Sequence, residues 1–350
     1  MKSGFDIGSH RIANDGRCFV IAEAGVNHNG DVGLAHRLVD VAADAGADAV
    51  KFQTFQADRL VSAGSPKAKY QIENTSAEGS QGDMLAELEL TRDEFGSLFE
   101  HARQRGIVFI STPFDEQSAS ELLSIGVPAF KVSSGDLTNR GLLRYLGALK
   151  KPVIISTGMS YLGEVEQAVG CLQDANAEAV AILQCTSNYP APPEAINLRV
   201  METLRLAFGV PVGYSDHTAG LPVALASAAR GAAILEKHFT LDRALPGPDH
   251  KASIVPNELA ALVKGIRDIE MALGGARKVP EAAEQDTRLV ARRSLFFCRS
   301  IDLGAFVREE DLIALRPGTG LSPMDIGRVI GRRARRAVKP GRMVEIGDLD

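Results

Sequence analysis

Eight short apolar runs recur along the first two thirds of the sequence, at 18–23, 47–53, 107–112, 129–134, 152–157, 179–186, 210–217 and 232–238. Between them lie stretches with helical periodicity, among them 32–45, 91–105, 117–125, 163–174 and 221–230. A continuously apolar strand has both faces covered, and alternation with helices makes such strands neighbours in a parallel sheet. Eight units in about 240 residues predict an α/β fold of the (β/α)₈ TIM-barrel type, whose usual size is about 250. An open doubly wound sheet is the competing arrangement, but no G-x-G-x-x-G follows the first run.

Each run ends on polar residues. In chain order these are Glu23; Lys51 and Gln53; Thr112; Lys131 and Ser134; Ser156; Thr186 and Ser187; Ser215 and His217; and Glu236, Lys237 and His238. One polar strand end is ordinary, because a strand must emerge into water. In a barrel, however, all eight ends converge on one face, so one pocket receives lysines, histidines, carboxylates and hydroxyls. A long connection of about 40 residues, 54–91, follows the second run; loops of such length are lids or surface excursions, and both readings stand for this one.

Composition removes several classes. The 350 residues carry Lys+Arg 39 and Asp+Glu 44, a formal net charge of −5, with 45% apolar and 24% charged residues, which excludes a disordered chain. Residues 1–17 hold no apolar core of a secretory signal, and charged residues interrupt every candidate membrane span. The four cysteines, Cys18, Cys171, Cys185 and Cys298, are too scattered for a disulfide framework or cysteine zinc site. A cytoplasmic protein with reduced thiols is expected, with no membrane partner.

The residue types at the strand ends point to a ligand. Lys51 and Lys131, with Ser134, Ser156, Ser187 and Ser215, suit a small polyanion such as a phosphate or phosphate-plus-carboxylate compound. His217 and His238 end adjacent strands and leave most positions on a metal open, as a Lewis-acid role requires, although hydrogen-bonded pocket histidines have the same signature. With no cysteine beside them, an oxygen-rich site for Mn²⁺ or Mg²⁺ is expected over structural zinc.

Several strings carry a resemblance. They are I-A-E-A-G-V-N-H-N-G at 21–30, D-A-V-K-F-Q-T-F at 48–55, S-T-P-F at 111–114, K-V-S-S-G-D at 131–136, S-T-G-M at 156–159, Y-S-D-H-T at 214–218, E-K-H-F-T at 236–240 and G-P-D-H-K-A-S at 247–253. In this order they resemble the sialic acid (N-acetylneuraminate) synthase family, which condenses phosphoenolpyruvate with an N-acetylmannosamine-type sugar using a divalent metal. The resemblance implies that His217 and His238 hold the metal, Mn²⁺ with Mg²⁺ or Co²⁺ as alternatives. It gives phosphoenolpyruvate to Lys51, Lys131, Ser134, Ser156 and Ser215, and acid/base work to Glu23. Gln53, Thr112, Asp136, Tyr189 and Asp249 would lie near the sugar. Ser187 stands where bacterial members often have Asn, and Asp136 where several have Glu, a side chain longer by one CH₂.

The chain's last part changes character. A glycine- and proline-bearing stretch reads as a linker, and short alternating runs with turns follow it, so the expected division is a barrel at 1–276, a linker at 277–290 and a small β-rich domain at 291–350. R-P-G-T-G-L-S-P-M at 316–324 resembles the antifreeze-like (SAF, β-clip) domain that closes these synthases. In the family this domain caps the partner's barrel in a domain-swapped homodimer, which would bring Arg316 to the sugar's N-acyl group. Arg332, Arg333, Arg335 and Arg336 form a basic cluster; without interleaved aromatics, a solvated face or an acidic mate on a neighbouring subunit is expected over nucleic acid.

The expected function is therefore an N-acetylneuraminate synthase that joins phosphoenolpyruvate to an N-acyl amino sugar and releases phosphate. The alternative is an N,N'-diacetyllegionaminate synthase acting on a 2,4-diacetamido-2,4,6-trideoxymannose. A non-catalytic sugar- or ice-binding protein is the reading from another class, and it leaves the convergent Lys, His and Glu set without a purpose. Lys51 as a Schiff-base nucleophile is the mechanistic rival.

Overall fold

The computed structural model describes residues 3–75 and 78–350. Its contacts divide the chain into two compact units, Met1–Gly274 and Gly275–Asp350.

The first unit opens with an antiparallel hairpin, β1 (Gly4–Ile7) and β2 (His10–Ala13). Eight parallel strands follow: β3 (Phe19–Gly25), β4 (Ala49–Thr54), β5 (Val108–Pro113), β6 (Phe130–Val132), β7 (Val153–Ser156), β8 (Val180–Cys185), β9 (Val212–Asp216) and β10 (Ile234–His238). They pair in sequence order, and β10 pairs back onto β3 to close the barrel. The expected (β/α)₈ architecture is what the chain adopts, with the open sheet set aside by that closure.

The helices form where local sequence dictates. Asp31 caps Val32–Asp44 by accepting from the amides of Gly33 and Leu34, and Ala35, Leu38, Val39 and Ala42 make its buried stripe. Thr91 and Glu94 form a capping box for Arg92–Gln104, which buries Phe95, Leu98 and Ala102. Helices Arg140–Ala148, Val200–Phe208 and Pro256–Leu273 complete the outer layer. Pro256–Leu273 follows the last barrel strand and buries Leu259, Leu262, Val263 and Ile266.

The hairpin has a structural task that residues 1–17 did not advertise. Phe5, Ile7 and Ile12 are buried with Phe19, Ile21, Ala49, Ile110, Ile154, Ala181, Leu183 and Ile234, which occupy the amino-terminal half of the barrel interior. That end is thus plugged with side chains. Polar groups within the barrel are left at the carboxyl ends of the strands.

The 54–91 connection carries three short helices, Ala57–Leu60, Lys69–Asn74 and Gln81–Ala86. Leu60, Leu85 and Leu88 pack with Val26, Phe55 and Phe114 from barrel loops, and Asn74 Nδ2 donates to the Pro248 carbonyl at 2.7 Å. It is therefore bound down onto the carboxyl-end loops rather than projecting from them. No helix among the described residues is long and apolar enough to cross a membrane.

The second unit holds an antiparallel pair, β11 (Ser294–Phe297) and β12 (Leu312–Leu315), and a core that includes Leu295, Phe297, Ile301, Val307, Val329, Val338, Val344 and Leu349. A short helix, Gln285–Ala291, occupies part of the stretch read as a linker. Of the basic cluster, Arg336 pairs with Asp348 of the same unit, to which Arg342 also contributes with its Nε 2.9 Å from Asp348 Oδ2. Arg333 lies over the Phe306 ring at 4.6 Å.

Candidate active site

Strand pleat and register assemble the site. Residues two apart on a strand share a face, and neighbouring barrel strands bring equivalent positions side by side. Glu23 is the register partner of Lys51 on one side and of His238 on the other, while Glu236 is the partner of Ser215. All of them open into one cavity of about 880 Å³ at the carboxyl ends of the strands.

Its floor is a buried charge cluster. Lys51 Nζ lies 2.9 Å from Glu23 Oε1 and 3.6 Å from Glu236 Oε2, and donates to Thr112 Oγ1 at 2.9 Å. Lys131 Nζ lies 3.7 Å from Glu236 Oε1 and donates to Ser156 Oγ at 2.6 Å. Ser215 Oγ donates to Glu236 Oε1 at 2.8 Å, and Gln53 Nε2 to Glu23 Oε1 at 3.3 Å. Every one of these charged groups is buried.

Burial pulls the carboxyls one way and the lysines pull them the other. For Glu23 burial wins, raising its pKa to about 7 against the opposing charge of Lys51. Burial also disfavours charge on Glu236, but Lys131 and Lys51 together outweigh it and hold this carboxyl below its ordinary value. The same two carboxylates keep Lys51 protonated beyond its usual range despite its burial. Glu23 is thus the group ready to exchange a proton near neutrality, while Glu236 is a fixed counter-charge.

Two imidazoles stand beside the cluster, with the His217 and His238 ring centres 5.4 Å apart. His217 Nδ1 is 2.9 Å from the Thr186 carbonyl oxygen, which only accepts, so Nδ1 carries a proton and Nε2 is the ring nitrogen left to meet a ligand. His238 has its pKa well below the ordinary value, first through burial and then through His217 and Lys51, so it is neutral at pH 7. Its buried Nδ1 has no hydrogen-bond partner. Burial disfavours charge on His217, but Cys185 and the Thr186 carbonyl outweigh it and raise its pKa, so a divalent cation would meet a neutral His238 and take the place of a proton on His217 Nε2. Among the described residues no group of three or more His, Cys, Asp or Glu side chains is arranged as a metal site, so a cation here would take its remaining ligands from water or substrate.

The other wall is aromatic and apolar. Tyr189 lies 4.1 Å from His217 and edge-on to His238, and Tyr70 from the 54–91 connection stacks on Tyr189 at 5.1 Å. Asp249 is buried, and burial raises its carboxyl to about 6. Leu60, Val61, Met84, Leu85, Leu88 and Phe114 add an apolar face.

Of the residues singled out in the sequence, Glu23, Lys51, Gln53, Thr112, Lys131, Ser134, Ser156, Ser187, Tyr189, Ser215, His217, His238 and Asp249 line this one cavity. Asp136 does not. Its carboxylate accepts from Ser133 Oγ at 2.7 Å and lies 3.3 Å from Asn139 Nδ2, within a 3-10 turn, which turns the short side chain to its own loop. Arg316 belongs to the second unit, where its Nε donates to the Ala291 carbonyl at 3.1 Å. Glu236 and Tyr70 were not assigned a role. Glu236 had a signal, since it sits two residues before His238 and so shares its face; Tyr70 had none, being brought in by a connection without strand periodicity.

Comparison with known proteins points to one family. The NeuB family profile matches residues 38–278 and the SAF domain profile residues 292–350. An N,N'-diacetyllegionaminic acid synthase of Legionella pneumophila is 47% identical, covering 93% of this chain and 92% of that protein. A protein of the same name from Campylobacter jejuni is 42% identical, covering 94% and 99%. The crystal structure of an N-acetylneuraminic acid (sialic acid) synthetase from Leptospira borgpetersenii serovar Hardjo-bovis, in complex with citrate, superposes with a TM-score of 0.72 at 36% identity, covering 81% of this chain and 94% of that one. The chain belongs to the NeuB family of nonulosonic acid synthases, enzymes that condense phosphoenolpyruvate with a sugar, and ends in a SAF domain.

Proposed function

We propose that the protein joins phosphoenolpyruvate to the open-chain aldehyde of a 2,4-diacetamido-2,4,6-trideoxymannose, giving N,N'-diacetyllegionaminate and phosphate. The observation that carries the chemistry is the meeting of two buried ammonium groups, a proton-exchanging carboxyl and two imidazoles in one cavity. Phosphoenolpyruvate brings a charge of about −3. Lys51 and Lys131 are already partly offset by Glu236, so its binding calls for further positive charge, which the imidazole pair supplies through a cation.

Lys131, Ser134, Ser156 and Ser215 hold the phosphate and carboxylate, and Lys51 lies between that ligand and Glu23. Attack by C3 of phosphoenolpyruvate on the aldehyde carbon leaves cationic character at C2. Water adds there and gives its proton to Glu23. Phosphate then leaves from C2 with the bridging oxygen as the C2 hydroxyl gives up its proton to form the ketone, and the two protons of the water end on the former aldehyde oxygen and on phosphate. A divalent cation held by His217 and His238, with Mn²⁺ the first choice, supplies Lewis acidity toward the aldehyde. A Schiff base on Lys51 is disfavoured because its amine is held protonated between Glu23 and Glu236.

N-acetylneuraminate was the first expectation from sequence, and two observations move the choice to the legionaminate branch. The apolar face of Leu60, Val61, Met84, Leu85, Leu88 and Phe114 suits a deoxy C6 methyl and a second acetyl group better than hydroxyls. The two relatives at 47% and 42% identity bear the diacetyllegionaminic name. The homodimer and the approach of Arg316 to the sugar remain part of the same proposal on family resemblance. The test is phosphate release with Mn²⁺ and either sugar. At least tenfold higher kcat/KM for the diacetamido sugar supports the assignment, and preference for N-acetylmannosamine returns it to sialic acid.

A further inference from the structure

The residues that precede the two imidazoles form a second pair on the other side of the barrel wall. Asp216 and Lys237 are register partners on β9 and β10, and strand alternation turns them away from the cavity that His217 and His238 face. Lys237 Nζ lies 2.6 Å from Asp216 Oδ2 and donates to the Thr218 carbonyl at 2.9 Å. Asp216 Oδ1 accepts from the Thr218 amide at 2.9 Å and from Tyr214 Oη at 3.2 Å. The backbone on both sides of His217 is therefore tied to the residue next to His238. Both charges are almost wholly buried, with side chains 2% and 0% exposed.

A buried ion pair is poor evidence of stabilisation, because desolvating two charges offsets most of their attraction and an apolar pair of equal volume often serves as well. What such a pair does provide is a fixed separation. We propose that Lys237 and Asp216 are positioning residues that set the spacing of the His217 and His238 rings for a divalent cation. This inference rests on the reading of the imidazole pair given above. Loss of supporting contacts behind metal ligands typically weakens metal binding by roughly 10- to 100-fold.

The test is Mn²⁺ binding, followed through the EPR signal of the free ion, with the wild-type full chain and Lys237→Met. The variant is expected to bind Mn²⁺ at least tenfold more weakly while phosphoenolpyruvate binding without metal stays within twofold of wild type. Mn²⁺ affinity within twofold of wild type would overturn the positioning role and leave the imidazole pair standing. Absence of Mn²⁺ binding by the wild type would overturn the pair itself and the inference with it. Should Lys237→Met fail to fold, the double variant Asp216→Leu/Lys237→Met replaces both charges with apolar groups. It is expected to keep its Tm and still bind Mn²⁺ weakly, and wild-type affinity there refutes the proposal.

Discussion

Glu23 Oε1 and Lys51 Nζ meet at 2.9 Å across register partners of neighbouring barrel strands, with both side chains buried. The contact holds the amine protonated, yet burial keeps the carboxyl close to its proton. One strand pairing thus yields both a fixed cation and a group that titrates near neutrality.

The pH dependence follows from that shift. Glu23 ordinarily ionises near 4.5 and here near 7, so below pH 7 it holds a proton and cannot take one from attacking water. The kcat/KM profile is expected to fall as pH drops through about 7. In Glu23→Gln this acid limb disappears along with most of the rate. A limb of unchanged position in the residual activity of Glu23→Gln would assign it to another group.

Removing Lys51 takes the ion-pair partner from buried Glu23 and leaves Glu236 with Lys131 alone. Lys51→Met is expected to cost about 3 kcal/mol of stability, as unpaired buried charges do. It should also lower kcat/KM for phosphoenolpyruvate by at least 100-fold. Thermal unfolding and steady-state kinetics check the two effects, and near wild-type kinetics would remove Lys51 from the ligand site.

Gly158 is needed for space. A Cβ there would lie 2.2 Å from Ser187 Oγ and 2.8 Å from Ser134 Oγ, and its amide already donates to Ser134 Oγ at 3.0 Å. Gly158→Ala is expected to push both hydroxyls out of place and to raise KM for phosphoenolpyruvate about tenfold or more, since each lost hydrogen bond to a charged ligand costs about 1.5 kcal/mol. An unchanged KM would show that neither serine contacts that substrate.

His217→Ala and His238→Ala are expected to fold and to lose turnover by at least 1,000-fold, as removal of Lewis-acid assistance worth several kcal/mol implies. Full activity of metal-free His238→Ala would contradict the role given to the pair. Arg316→Ala, by contrast, is expected to raise KM for the sugar and leave KM for phosphoenolpyruvate unchanged; equal effects on both would detach Arg316 from sugar recognition.

The barrel and most of its pocket were legible in sequence because both rest on strand periodicity. An apolar run followed by Lys51 or His238 announces the strand and the place where it meets solvent, and eight such runs pairing in sequence order close into the barrel. What was not legible depends on tertiary contacts without a period. The β1–β2 hairpin is too short to show amphipathicity, and its role comes from filling the barrel's amino-terminal end with Phe5, Ile7 and Ile12. Tyr70 reaches Tyr189 only through the docking of the 54–91 connection. Asp136 was expected at the sugar, but a local turn gives its carboxylate nearer partners. The acidic mate of Arg336 is Asp348, twelve residues further along the same chain.

The most direct measurement combines the enzyme, Mn²⁺, the diacetamido sugar and phosphoenolpyruvate labelled with ¹⁸O at the C–O–P bridge. The account predicts one labelled phosphate for each nonulosonic acid formed, none without sugar, and loss of both products in His238→Ala. Unlabelled phosphate, or phosphate released at the same rate without sugar, would contradict it.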